Sequence, residues 1–135
     1  MAPWLFTDAV LNNKPINVFN HGKMLRDFTY IDDIVQGIWH LAVNKQRIDS
    51  HNHDIFNIGN HQPVELIRFI EIIENLCGKQ AQKNFLPMQA GDVPVTCADV
   101  SKLNQLTGFK PDTPLEEGMA YFINWFQWYM KNRKM

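Results

Sequence analysis

"GKMLRDFTYIDD", Gly22 to Asp33, runs straight into "IVQGIWHLAVNK", Ile34 to Lys45. Ile31, Ile34, Val35, Ile38, Leu41 and Ala42 recur at three-and-four spacing with Asp32 and Asp33 in front, which predicts a helix over 31–45. The polar loop "QRIDSHNH" follows, and then "DIFNIGN", Asp54 to Asn60, a brief run of branched and aromatic residues stopped at Gly59. That composition predicts a buried strand. A helix followed by a strand, extended outward in both directions, marks an α/β chain.

Upstream, "PWLFTDAVLNN" places Leu5, Phe6, Ala9 and Val10 on one helical face behind Pro3, and "KPINVFN" reads as a strand. Downstream, "PVELIRFIEIIENLCG" predicts a helix with Pro63 in its first turn, a stripe of Leu66, Phe69, Ile70, Ile73 and Cys77, and Gly78 as a left-handed cap. "KNFLPM" suits a strand, "QAGDVPVT" a loop, and "DVSKLNQLTG" a short helix closed by Gly108. In "TPLEEGMAYFINWFQWYMKN", Thr113 followed by Pro114 and Glu116 predicts a capping box in front of the last helix. No repeat or linker interrupts the pattern, so residues 1–135 are expected to form a single domain.

Composition narrows the functions. The chain has 135 residues, 45% of them hydrophobic, enough for a real core. Thirteen Lys and Arg against 14 Asp and Glu leave a net charge of -1, which provides no basic field for nucleic acid or anionic lipid. No apolar run reaches the ~20 residues of a membrane span, and "MAPWLFTDAV" lacks a signal-peptide pattern, so a cytoplasmic protein is expected. Cys77 and Cys97 have no CxxC spacing and are expected to be structural thiols.

Several clusters invite chemical readings. "HNHD" at 51–54, with His61 beyond, has no cysteine partner and sits in a loop, so a solvated loop is favoured over zinc and no metal is expected. His40 is expected at a packing boundary. Tyr121, Phe122, Trp125, Phe126, Trp128 and Tyr129 wrap most of the last helix, and are expected to pack inward with part of that face meeting another polypeptide. The glycines are isolated, so no phosphate-cradling loop is present, and no Tyr-x-x-x-Lys occurs. Taken alone, Asp32 and Asp33 start a helix, and Arg26 with Asp27 forms a surface pair.

The order of the blocks adds a resemblance. "PINVFNHGKMLRDFTYIDDIVQGI", "IFNIGNHQPVELIRFIEIIE", "NFLPMQAGDVPVTCADVSKL" and "GFKPDTPLEEGMAYFINWF" resemble, in that order, the C-terminal portion of extended short-chain dehydrogenases/reductases. Among them the chain is most similar to NAD-dependent nucleotide-sugar epimerases of the UDP-glucuronate 4-epimerase kind. The resemblance implies the substrate-binding part of that fold without most of its Rossmann domain, a fragment with no catalytic residue of its own. It implies NAD in the intact family, with none expected on this chain alone, and a UDP-sugar as ligand. Self-association through exposed apolar faces is the rival reading, as a non-catalytic module. A related decarboxylase or dehydratase would differ in residues upstream of Met1.

Residue by residue, the resemblance implies that Arg26 approaches the UDP diphosphate, as a bidentate guanidinium would. It implies that Val18 and Phe19 offer backbone and ring to uracil, and that Asp92 meets the ribose hydroxyls. Gln89 stands where related galactose epimerases have Arg and glucuronate epimerases commonly have Gln. Ala90 stands where family members tend to have Pro.

Overall fold

The structure is a computed structural model that describes residues 2–44 and 53–133. Among the described residues, five helices and four short strands follow one another: α1 (Ala2–Leu11), β1 (Pro15–Val18), β2 (Leu25–Arg26), α2 (Ile31–Val43), β3 (Val64–Glu65), α3 (Leu66–Cys77), β4 (Gln82–Phe85), α4 (Ser101–Thr107) and α5 (Leu115–Asn132). The expected α/β class is therefore found. The chain divides into two compact units, one of residues 1–25, 64–94 and 114–135, the other of residues 26–63 and 95–113.

The first unit holds most of the apolar core. Val10 of α1, Ile16 and Val18 of β1, Phe69, Ile70 and Ile73 of α3, and Met119, Ile123 and Phe126 of α5 are all buried. On α3 and α5 these residues follow the helical period, so each helix turns one stripe inward. β1 and β4 run parallel, with Pro15 opposite Gln82 and Val18 opposite Phe85. β1 stops at Val18, earlier than "KPINVFN" suggests, because Phe19–Gly22 folds into a 3₁₀ turn with Asn20 and His21 at φ of 50°. Gly22 ends that turn at φ +81°, and a Cβ there would lie 2.4 Å from Ile67 Cδ1. Only glycine suits both the dihedral and the space.

Two expected helix starts are corrected. Pro63 lies outside α3, because Leu66 N–H donates to Met24 O (2.8 Å) and the two residues before it are extended as β3. At its other end α3 closes as expected, with Gly78 left-handed and Lys79 N–H returning to Glu74 O at 3.1 Å. The capping box of the last helix does not form: α5 begins at Leu115 with Pro114 as its cap residue and no side-chain cap. Glu116 pairs instead with Arg68 on α3 (2.9 Å). Its own backbone N–H at the helix start, and then Arg68, hold the Glu116 carboxyl below the usual range.

The aromatic stripe of α5 is only half inward. Trp4 packs against Phe126 (4.7 Å between centroids), Tyr129 (5.7 Å) and Trp125 (6.1 Å), while Tyr121 and Trp128 are exposed. In the same unit Glu74 is buried, and its Oε1 accepts from Lys83 Nζ (2.5 Å) and Ala81 N–H (2.7 Å).

The second unit is built differently. Its buried apolar side chains, among the described residues, are Val100 and Leu103 with Pro111. Polar contacts do much of the rest. Asp33 is buried, and its Oδ2 accepts Thr113 N–H (3.2 Å), so it ties α2 to the 109–113 loop besides standing at a helix start. His40 stacks on Phe109 at 4.8 Å and 12°, a packing role as expected. "DIFNIGN" is not a strand: residues 54–60 join no ladder among the described residues, and Ile55 is exposed. Strand propensity without a neighbouring strand leaves only an unpaired run.

His51 of the "HNHD" motif lies outside the described residues, and His53 is exposed. Among the described residues no three His, Cys, Asp or Glu side chains are grouped to hold a metal. Cys77 and Cys97 are free thiols, and burial pushes the Cys77 thiol up. Among the described residues no helix is long and apolar enough to cross a membrane.

Candidate functional site

Four of the five residues singled out lie in the first unit. Val18 ends β1 with its side chain fully buried, and its carbonyl accepts Leu86 N–H at 3.0 Å. Val18 therefore fixes backbone geometry more than it offers a side chain. Phe19, half-buried, opens the 3₁₀ turn, and the turn is held where His21 N–H donates to Leu86 O (3.0 Å). The β1 end and the segment after β4 are thus stitched together from both sides.

Gln89 and Asp92 are brought together by one tight turn. Asp92 N–H donates to Gln89 O (3.2 Å), and Gly91 sits at φ +83° in open space. A left-handed third residue behind an i to i+3 hydrogen bond defines a type II turn, and Gly is the residue it favours there. Asp92 Oδ1 also accepts Val93 N–H (2.9 Å), which orients the carboxylate at the turn exit. Pro94 O accepts Leu25 N–H (2.9 Å), so the loop is anchored beyond the turn as well. Gln89 and Asp92 are exposed, on a loop whose two ends are tied to the same unit.

Ala90 occupies the second position of that turn, where Pro is favoured. Ala90→Pro should therefore stabilise the chain by about 0.4–1 kcal/mol through a less flexible unfolded state. Urea denaturation checks this, and a loss of stability would show that Ala90 does not hold the turn dihedral.

Arg26, the fifth residue, ends β2 and opens the second unit, half-buried. The carboxylate beside it is no surface group. Asp27 Oδ2 accepts Ala98 N–H (2.9 Å) and His61 N–H (3.1 Å), while Asp27 N–H donates to Thr96 Oγ1 (3.1 Å). Two residues on, Thr29 Oγ1 accepts Asn60 N–H (3.2 Å). Gly59 permits this closure: a Cβ there would meet Ala98 Cβ at 2.4 Å and Asp27 Oδ2 at 3.0 Å. The expected surface position of Asp27 is thus corrected, since the residue is part-buried and ties its own segment to His61 and to the 96–98 stretch. Charge and position gave no hint of it, because its partners lie 34 and 71 residues away.

The comparisons with known proteins follow the same lines. Residues 2–59 match the NAD dependent epimerase/dehydratase family. An uncharacterized protein of Methanocaldococcus jannaschii is 50% identical over 126 residues, covering 93% of this chain and 37% of that protein. A probable UDP-glucuronate 4-epimerase of Rhizobium meliloti is 44% identical over 140 residues, covering 93% of this chain and 41% of its own length. The crystal structure of UDP-glucuronic acid 4-epimerase from Bacillus cereus, in complex with UDP-glucuronic acid and NAD, superposes with a TM-score of 0.81 at 30% identity. That likeness covers 95% of this chain and 40% of the crystallised one. The chain spans about two fifths of the length of the proteins it matches. A family match at residues 2–59 and a fold shared over nearly all of its length make the chain similar to proteins of the NAD dependent epimerase/dehydratase family, UDP-glucuronate 4-epimerases among them.

Proposed function

We propose that residues 1–135 are the C-terminal, UDP-sugar-binding part of a nucleotide-sugar 4-epimerase that interconverts UDP-glucuronate and UDP-galacturonate. The observation that carries this reading is the fold shared with the Bacillus cereus enzyme that holds UDP-glucuronic acid and NAD. Gln89 in a tethered turn agrees with the same subgroup.

In such a reaction NAD would supply the hydride chemistry at the sugar C4, and it would be held by residues outside this chain. The isolated glycines of this chain provide no cradle for a dinucleotide phosphate, and the chain carries no Tyr-x-x-x-Lys. Its own residues bind and orient. The Val18–Phe19 corner would present ring and backbone to uracil, and Asp92 would accept the two ribose hydroxyls. Arg26 would meet the diphosphate, with Gln89 adding a neutral donor in place of a second cation. Holding the nucleotide firmly while the sugar stays free to turn spends remote binding energy on positioning the reacting carbon. Alone, the chain should turn over no substrate.

The test is a calorimetric titration of UDP into the family-length protein and its Arg26→Ala variant. Loss of a charge-assisted contact worth about 1.5–3 kcal/mol should weaken UDP by roughly ten- to a hundredfold. Unchanged affinity would remove Arg26 from the site. A second reading, a non-catalytic module that associates with other chains, is favoured by exposed Ile31, Trp39 and Trp128, because large apolar patches promote association. It would gain if the chain alone formed a stable dimer in dilute solution.

A further inference from the structure

Lys83 and Phe85 lie two residues apart on β4, so their side chains share one face of the strand. Ile67, Glu71, Glu74 and Asn75 recur at the spacing that puts them on one side of α3. With Gln80 from the connection between the two elements, they line a cleft of about 510 Å³ within the first unit. Small-molecule sites have this size. The cleft shares no lining residue with the Val18–Phe19 corner, the 89–92 turn or Arg26.

Its floor is a charged pair with bonding capacity left over. Glu74 is 5% exposed, and its Oε1 already accepts from Lys83 Nζ (2.5 Å) and Ala81 N–H (2.7 Å). Its Oε2 accepts no hydrogen bond among the described residues, yet it is not sealed from solvent. A carboxylate oxygen this deep in the fold is poorly hydrated and is satisfied best by a donor arriving through the cleft. Lys83 uses one of its three N–H groups on Glu74. The floor therefore presents an acceptor and spare donors side by side. A hydroxyl both donates and accepts, so two neighbouring hydroxyls on one ring match it: one donates to Glu74 Oε2, and the other accepts from Lys83 Nζ. Asn75 and Gln80 extend the same alternation along the walls, because each amide carries an acceptor and two N–H donors. Phe85, 50% exposed, and Ile67 add an apolar patch for the C–H face of a ring.

Charge narrows the class further. Glu71, which pairs with Arg68 at 3.5 Å, and Glu74 outweigh the single Lys83 of the lining, so the cleft is unfavourable to anions. We propose that the cleft between α3 and β4 is a binding site for a neutral pyranose, held by a vicinal diol on Glu74 and Lys83 with one ring face against Phe85. The site is separate from the nucleotide-sugar site proposed above and stands without it.

The probes are methyl β-D-glucopyranoside and methyl β-D-galactopyranoside, titrated into the 135-residue chain and followed by two-dimensional amide NMR. A dissociation constant on the order of 1–10 mM is expected for one of them, as suits a small ligand held by a few hydrogen bonds. The shifts should centre on the amides of Glu71, Asn75, Lys83 and Phe85. Phe85→Ala and Asn75→Ala should each weaken binding roughly fivefold or more. Both positions are exposed, and the amide spectra report whether each variant is folded. Trp128→Ala on α5 should leave binding unchanged. D-Glucuronate should bind roughly tenfold more weakly than the neutral sugars. No saturable binding of either glycoside, or binding indifferent to both cleft variants, would overturn the proposal. So would D-glucuronate binding as tightly as the glycosides, or putrescine binding more tightly, which would give the cleft to a cation. A UDP titration of the same chain reports separately on the nucleotide-sugar reading.

Discussion

Asp27→Ala should cost about 3–5 kcal/mol of folding stability, out of the roughly 5–15 kcal/mol typical of a domain. The carboxylate accepts two backbone N–H groups, from His61 and Ala98, in a part-buried corner. A hydrogen bond to a charged group contributes about 1.5–3 kcal/mol, and truncation leaves both donors without an acceptor. The corner offers no easy rearrangement, because Gly59 already lies so close to Ala98 that a single added carbon would clash. Asp27→Asn keeps one acceptor oxygen and the shape, so its loss should be about half as large. Urea denaturation followed by circular dichroism gives both values. If Asp27→Ala fell within 1 kcal/mol of the parent chain, the corner would be held by packing, and the carboxylate would be incidental to it.

The same corner shows where sequence reading ends. Helix periods, the Gly78 and Gly108 caps, and the α/β alternation depend on residues within one or two turns of each other, and the structure carries them as expected. Pairings across long separations do not print a local signature. The parallel register of Pro15 with Gln82 joins positions 67 residues apart, and nothing in "KPINVFN" or "KNFLPM" selects it. Local signals also lose to distant partners. Thr113 looks like a helix cap, yet its N–H is taken by Asp33, 80 residues earlier, and Glu116 is turned toward Arg68. "DIFNIGN" has strand composition, but a strand is a relation between two segments, and residues 54–60 pair with no second one among the described residues. For the site, "QAGDVPVT" reads only as a loop, and the turn that joins Gln89 to Asp92 emerges from the structure. The roles of Val18, Phe19 and Arg26 came from likeness, because a ligand's position leaves no periodicity behind.

Lys83→Met should destabilise the chain by a comparable amount, about 3–5 kcal/mol at neutral pH, for an electrostatic reason. Glu74 lies on the inner face of α3 among Ile70, Ile72 and Ile73, with its side chain 6% exposed, and Lys83 from β4 supplies the cation against it. Taking two charges out of water is costly, and the pair recovers that cost only while both members are present. Methionine keeps the length and apolar stem of the lysine, so the packing changes little and the uncompensated carboxylate dominates. Ala81 N–H still donates to Glu74, which limits the loss without cancelling the charge. The double variant Lys83→Met with Glu74→Gln removes both charges and should recover most of the stability, because the glutamine oxygen can still accept from Ala81. A double variant no more stable than Lys83→Met alone would mean that the lysine acts through its stem, and that the buried charge was never the issue.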